Sequence, residues 1–282
     1  MKLIILGSGS PEAYARRASS GYLIEVGKDT ILFDCGGGVF DNLLRSGRFP
    51  SEITHIVFSH LHSDHMMDYA RLVHAAWDEG AAPVKVFGPA PIAAITEGYF
   101  GANGVLSHDL RARTELPQSQ EVWVARGGSL PRPWPAPIVT EIAAGEVIQG
   151  NGWRIESCAA PHAQPLLECI AFALTHADRK FVYSGDAGLC PAVEALAKDA
   201  ECLLHWCYRL DGEQASKNMT ALTPTPSEIG AMAKRAGVRQ LVLTHFRKHM
   251  DDPASYASAE LHASTAFGSP VSVAEDLQTF DL

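Results

Sequence analysis

No stretch of this sequence approaches the roughly 18 consecutive apolar residues of a membrane span. The amino terminus, MKLIILGSGS, has only Leu3 to Leu6 as an apolar run before a Gly/Ser turn, short of the core of an export signal. A protein without contact to the membrane, working in the cytoplasm, is therefore expected. Ordered cysteine patterns are missing too. Six cysteines, Cys35, Cys158, Cys169, Cys190, Cys202 and Cys207, form no CxxC pair, and a chain of 282 residues does not need disulfide staples. They read as small core residues. Positive charge is also scarce, with 23 Lys and Arg against 32 Asp and Glu and a net charge of -9, so the surface as a whole should repel polyanions. Composition thus disfavours nucleic acid as a partner. No internal repeat is visible.

Histidine, by contrast, is plentiful, with twelve in the chain. Three of them fall with an aspartate in the stretch SHLHSDH, Ser59 to His65. It follows ITHIVF, a strand of buried character, and precedes a segment in which Met67, Ala70, Val73, Ala76 and Trp77 recur at helical spacing. One helix from Asp64 to Trp77 is expected. Elsewhere KLIIL, YLIEV and TILFD look like strands, a short helix follows Cys35-Gly36-Gly37-Gly38, and Thr225-Pro226-Ser227-Glu228 has the spacing of a capping box opening a helix to about Ala236. Strands alternating with helices call for an α/β architecture. Residues 98–137, with GANG, ARGG and SLPRPWPAP, lack a long periodic run and read as an irregular insertion or lid in a single domain spanning 1–282.

In an extended chain, residues two apart point the same way, so His60 and His62 can hold one ion. Asp64 and His65 begin the helix and point elsewhere, which suits two neighbouring ions better than one. Three further candidates, His162, Asp186 and His245, each follow an apolar strand, and ligands in α/β sheets collect beyond the carboxyl ends of strands. Asp186, with two oxygens, can bridge. Imidazole and carboxylate suit Zn2+, and also Mn2+ or Fe2+.

SHLHSDH with Pro161-His162, Ser184-Gly185-Asp186 and Thr244-His245-Phe246, in that order, resembles the metallo-β-lactamase superfamily and its HxHxDH motif. The openings LGSGSP and LFDCGGG and the LVLTHF ending are similar to the branch holding ribonuclease Z and the arylsulfatase-like and phosphodiesterase relatives. The resemblance implies a four-layer αβ/βα sandwich of two mixed sheets with helices on the outer faces. It implies one metal on His60, His62 and His162, a second on Asp64, His65 and His245, and Asp186 between them. A metal-bridging hydroxide would then be the nucleophile, with Asp64 orienting it or taking its proton, and a homodimer is the assembly to look for.

The sequence departs from ribonuclease Z at two places. Trp206 stands after His205 where that family has an acid, and Asn218 stands where it has a further histidine; the general acid is left open. The irregular segment carries Arg111, Arg113, Arg126 and Arg132 against Asp109, Glu115 and Glu121, a poor electrostatic grip for RNA. The expectation is a hydrolase of a small phosphodiester or sulfate ester, with Arg111 or Arg113 contacting the anion and His205 supporting the metal ligands from outside. The alternatives are tRNA 3'-end cleavage, lactone, amide or β-lactam hydrolysis, and a metal-binding scaffold without catalysis. The remaining histidines read as structural or exposed.

Overall fold

A computed structural model describes residues 1–282. The strands are β1 (Lys2–Gly7), β2 (Gly21–Val26), β3 (Asp29–Phe33), β4 (His55–Val57), β5 (Lys85–Gly88), β6 (Ile138–Glu141), β7 (Val147–Gln149), β8 (Trp153–Ala159), β9 (Ile170–His176), β10 (Arg179–Tyr183), β11 (Cys202–Trp206), β12 (Gln240–Thr244), β13 (Ser272–Val273) and β14 (Thr279–Asp281). The helices are α1 (Val39–Arg45), α2 (Ser63–Met66), α3 (Tyr69–Asp78), α4 (Ile92–Phe100), α5 (Ser107–Glu115), α6 (Pro117–Ala125), α7 (Pro191–Leu196), α8 (Lys217–Leu222), α9 (Pro226–Arg235) and α10 (Pro253–Phe267).

Two seven-stranded sheets result, in the orders β14-β1-β2-β3-β4-β5-β6 and β13-β12-β11-β10-β9-β8-β7. Each is mixed: β3 to β6 run parallel in the first and β10 to β13 in the second, with antiparallel pairs beyond. The apolar runs of β1, β2, β11 and β12 have no polar alternation because both faces of these strands are covered, whereas β7 and β8 nearer the sheet edge alternate. Along β1, Leu3 and Ile5 point into the core between the sheets with Phe172, Leu174 and Leu204, whereas Ile4 and Leu6 face the helices. In β12, Val242 points inward while Leu241 and Leu243 pack with Ile229 of α9 and Ala263 of α10. The four-layer sandwich expected from the sequence is the observed architecture.

Local chemistry explains several elements. Thr225 caps α9, its hydroxyl accepting from Glu228 N while the Glu228 carboxylate accepts from Thr225 N, as the capping-box spacing requires. Of the cysteines, Cys35, Cys169, Cys202 and Cys207 are buried, Cys158 and Cys190 are half-buried, and none is bridged.

Two expectations need correction. The helix expected from Asp64 to Trp77 is two, α2 and α3, separated at Met67 and Asp68. Asp68 turns the chain because its carboxylate accepts from Gly38 N at 2.8 Å and Phe40 N at 2.9 Å, while its own N–H donates to Cys35 O at 3.0 Å. Met67 consequently lies on the surface, outside the stripe that includes Val73 and Ala76. The segment 98–137 is also more regular than expected, since it contains α5 and α6. These helices lack an aliphatic stripe because polar and aromatic contacts hold them. The Arg132 guanidinium lies 3.7 Å from the Trp77 ring centre and 4.3 Å from that of Trp123, and pairs with Asp78 at 2.9 Å. His74 adds a bond to Asp109 at 2.9 Å.

Candidate metal centre

Four strand ends meet where the two sheets adjoin. The loop after β4 and the start of α2 bring His60, His62, Asp64 and His65 from the first sheet; His162, Asp186 and His245 follow β8, β10 and β12 of the second. The chain is packed tightly here. A Cβ on Gly36 would lie 2.0 Å from Asp64 O, and Cys35 N donates to His65 O at 2.7 Å. Gly9 forms a bridge with Phe246, the residue after His245, and Phe246 N donates to Ser8 O at 3.0 Å. A Cβ on Gly7 would lie 1.7 Å from Ser19 O and one on Gly9 2.9 Å from Arg17 Cβ, so the glycines of LGSGS admit the close approach of residues 17–19. His245 itself has φ 65, a left-handed conformation uncommon outside glycine, which takes its side chain out of the β12 alternation.

The seven side chains form two groups, and within each the donor atoms all lie within 4.8 Å of one another. In the first, His60 Nε2 lies 3.0 Å from His62 Nδ1, and His162 Nε2 lies 3.3 Å from the same atom. In the second, His245 Nε2 is 3.1 Å from Asp64 Oδ2 and 3.2 Å from Asp186 Oδ2, while His65 Nε2 is 3.5 Å from each. Asp186 Oδ2 is also 3.8 Å from His162 Nε2, so one oxygen reaches both groups. Side-chain direction along SHLHSDH, used above to divide His60 and His62 from Asp64 and His65, matches this partition.

The donor set fits two divalent ions. Three imidazole nitrogens converge in the first group, two of them within 3.3 Å of His62 Nδ1, and in the tautomers that turn their lone pairs inward they would suit a cation. In the second, His65 Nε2 and Asp186 Oδ1 are buried without a hydrogen-bond partner, which is costly for polar atoms unless something else satisfies them. The absence of thiolate and the mixture of nitrogen and carboxylate oxygen suit Zn2+, with Mn2+ or Fe2+ compatible.

Protonation follows from burial and charge. Burial depresses the pKa of His60 well below the ordinary value, with the charge of neighbouring His65 acting in the same direction, and burial likewise lowers His162. For His65 and His245 burial again opposes the charged form, but the nearby carboxylates prevail. Asp186 and Asp34 raise His65, and Asp186 and Asp64 raise His245 to about 9. Burial would raise Asp186 and Asp64, yet their histidine partners hold both below the usual carboxylate range. With its pKa near 9, His245 favours a protonated imidazole at pH 7.5 that ligation must displace, and the carboxylates beside His65 push it in the same direction. Metal binding is expected to release at least one proton per chain at pH 7.5, with the release from His245 fading and apparent affinity rising as pH passes through about 9. Calorimetric metal titrations in buffers of different ionisation enthalpy measure this; binding without proton release would contradict the assignment.

A fixed support surrounds these groups. Asp34 is fully buried at φ 58. Its Oδ2 accepts from His65 Nδ1 at 2.8 Å, Tyr183 OH at 2.7 Å and Ser59 Oγ at 2.7 Å, and its Oδ1 accepts from Ser59 N at 2.7 Å. Holding the proton on His65 Nδ1 leaves Nε2 as the donor facing the cluster, as outer carboxylates do for metal-bound histidines. Ser59 Oγ, 3.0 Å from His60 Nδ1, orients His60 in the same way. Asp34 escaped sequence analysis because it sits in LFDCGGG, remote from the histidines; a carboxylate at the end of a buried strand was the available signal.

Other expected contacts do not reach the site. Arg111 is paired with Glu115 at 3.1 Å, and Arg113 with Asp109 at 2.9 Å and Asp78 at 3.5 Å; neither lines the pocket over the cluster. His205 is fully buried and makes a bond from Nδ1 to Trp206 O at 2.8 Å, and burial lowers its pKa to about 4. It contacts none of the seven side chains through a hydrogen bond. Its neighbour Trp206 does face the site, with its ring centre 5.2 Å from that of His162 and 5.7 Å from that of His245. Asn218 lies on the exposed helix α8, and Thr223, beyond its end, lines the pocket instead.

That pocket has a volume of about 320 Å3. Its floor is His62, Asp64, His162, Asp186 and His245, and its walls include Trp206, Tyr208, Met219 and Leu222, with no lysine or arginine among the lining residues.

A family model described as a β-lactamase superfamily domain matches residues 29–246. The chain is 28% identical over 290 aligned positions to a protein named Ribonuclease Z from Mycobacterium sp. (strain KMS), covering 100% of this chain and 96% of that one. Among solved structures it is similar to the metallo-β-lactamase fold protein YhfI from Bacillus subtilis, with TM-score 0.74, 19% identity and 99% of each chain covered. It is also similar to the short form of human tRNase Z, with TM-score 0.69, 18% identity, and 100% and 99% of the two chains covered.

Proposed function

The chain belongs to the β-lactamase superfamily as a hydrolase of the metallo-β-lactamase fold, and from that footing we propose that it is a dinuclear, metal-dependent phosphodiesterase acting on a small substrate. The observation that carries this reading is the position of Asp186 Oδ2, within 3.8 Å of His162 Nε2 on one side and 3.2 Å of His245 Nε2 on the other. His60, His62 and His162 would hold one ion, Asp64, His65 and His245 the other, and Asp186 both. Two divalent ions so held supply Lewis acidity for a phosphoryl oxygen and lower the pKa of water.

The chain's own groups do the rest. Asp64 lines the pocket with only Oδ2 engaged by histidine, which leaves Oδ1 to accept a proton from the attacking water. Asp34 and Ser59 keep His65 and His60 in the tautomers that present Nε2. The lack of Lys and Arg in the pocket means that a substrate's charge is met at the metal floor, which favours a monoanionic diester over a group with further phosphates.

The relatives named Ribonuclease Z bring nucleic acid, disfavoured by composition alone, back as a second reading: cleavage of a tRNA precursor. The net charge of -9 and the pairing of Arg113, Arg126 and Arg132 with Asp78 favour the smaller substrate. Chelation is expected to abolish hydrolysis of model diesters and added Zn2+ or Mn2+ to restore it. A metal-loaded protein inert towards diesters, yet cleaving tRNA precursors with a steep salt dependence, would replace the first reading by the second. Fewer than one ion per chain would support a scaffold instead.

A further inference from the structure

The pocket has an upper part that metal chemistry leaves unused. Trp206 is held from several sides: its indole N–H donates to Ala187 O, and its ring stands edge-on to His162 and His245. Tyr208 stacks against it, with ring centres 5.4 Å apart and planes 29° from parallel. The Arg247 guanidinium lies 4.7 Å from the Tyr208 ring centre, and its Nη1 donates to Glu213 Oε1 at 3.3 Å, so the tyrosine is held as well. Met219 and Leu222, on α8, supply aliphatic surface to the same pocket.

This wall is poor in polar groups. Thr223 Oγ1 is spent on Met219 O at 2.7 Å, and the Tyr208 hydroxyl, which makes no hydrogen bond within the protein, remains. A charged or strongly hydrated group pressed against the rings themselves would lose water without compensation. A flat ring would gain from stacking and from aliphatic contact, against side chains whose ordering has already been achieved.

We propose that the substrate carries a flat ring, aryl or nucleobase, next to its scissile phosphodiester, and that Tyr208 and Trp206 with Met219 and Leu222 form the subsite for it. This names the substrate class of the phosphodiesterase reading and rests on it. Tyr208 and Met219 are specificity residues here, acting on the ring and not on the reacting phosphorus.

Binding of phosphonate monoesters to the metal-loaded protein, followed by calorimetry, tests the subsite without requiring turnover. Ethyl, phenyl and thymidine 5'-methylphosphonates share one negative charge and differ in what flanks it. The ring compounds should bind at least ~10-fold more tightly than the ethyl compound, as expected for roughly 60 Å2 of apolar surface removed from water. Preference for phenyl over thymidine identifies an aryl substrate, and the reverse a nucleotide. Met219→Ala, at a position 43% exposed where folding is insensitive, and Tyr208→Ala should both shrink the ratio while metal content stays at the level of the unsubstituted protein. Equal affinity for all three compounds, or a ratio that survives both substitutions, would overturn the subsite. Failure to hydrolyse any diester while ring preference persists would overturn the phosphodiesterase reading and leave the subsite standing.

Discussion

Replacing Asp186 with alanine should lower kcat/KM for model diesters by on the order of 10³-fold or more, near the upper end of what loss of one charge-stabilising group costs. The effect exceeds that of removing one ligand from one ion, because Oδ2 of this buried carboxylate reaches His162 of the first group and both His65 and His245 of the second. Without it, the histidines whose pKa values it raises lose their counter-charge, and the two groups lose their shared atom. Asp186→Asn separates shape from charge: it keeps the volume and one oxygen while removing the negative charge, and should behave much as the alanine variant does. Elemental analysis beside the kinetics reads the cause. A variant with two ions and activity within tenfold of the unsubstituted protein would remove Asp186 from the shared position.

Asp34→Ala should be the most damaging substitution for stability, costing about 3–5 kcal/mol. The carboxylate is fully buried and accepts from His65, Tyr183 and twice from Ser59, so its removal strands several buried donors at once. Asp34→Asn is the gentler probe. It retains the size of the side chain but places an amide where acceptors are needed, and metal affinity should fall by roughly 10–100-fold, the usual cost of losing an outer partner of a ligating histidine. Denaturant unfolding of the metal-free protein isolates the structural part and metal competition measures the other. Unchanged unfolding midpoints for the alanine variant would mean that the four bonds to Asp34 contribute little.

The sequence made an α/β architecture legible because strands covered on both faces leave uninterrupted apolar runs, whereas the arrangement in two sheets was implied by the family resemblance of the metal motifs. It also exposed His60, His62, Asp64 and His65, whose spacing along a strand end and a first helical turn encodes direction. His162, Asp186 and His245 were identifiable from their places after strands. What escaped was set by contacts between distant segments. Asp34 earns its place through Ser59, His65 and Tyr183, and no local pattern announces that. The break between α2 and α3 depends on Gly38 and Phe40, whose backbone N–H groups donate to the Asp68 carboxylate. Helices α5 and α6 are pinned by Arg132 between two tryptophans, a polar anchor invisible to a search for aliphatic periodicity. Arg111 and Arg113 looked free in the sequence because their acidic partners, four residues away on the same helix, count only once that helix exists.

The Tyr183 hydroxyl reaches Asp34 at 2.7 Å from the opposite sheet, and the histidine groups draw on both sheets in the same way. Neither half of the chain alone possesses a complete ligand set. Ion capture at the proposed centre would therefore be a late event in maturation, open only to molecules whose halves have docked in register, and bound ions would act as a clasp that resists their separation. Metal content would then report correct assembly as directly as it reports readiness for catalysis.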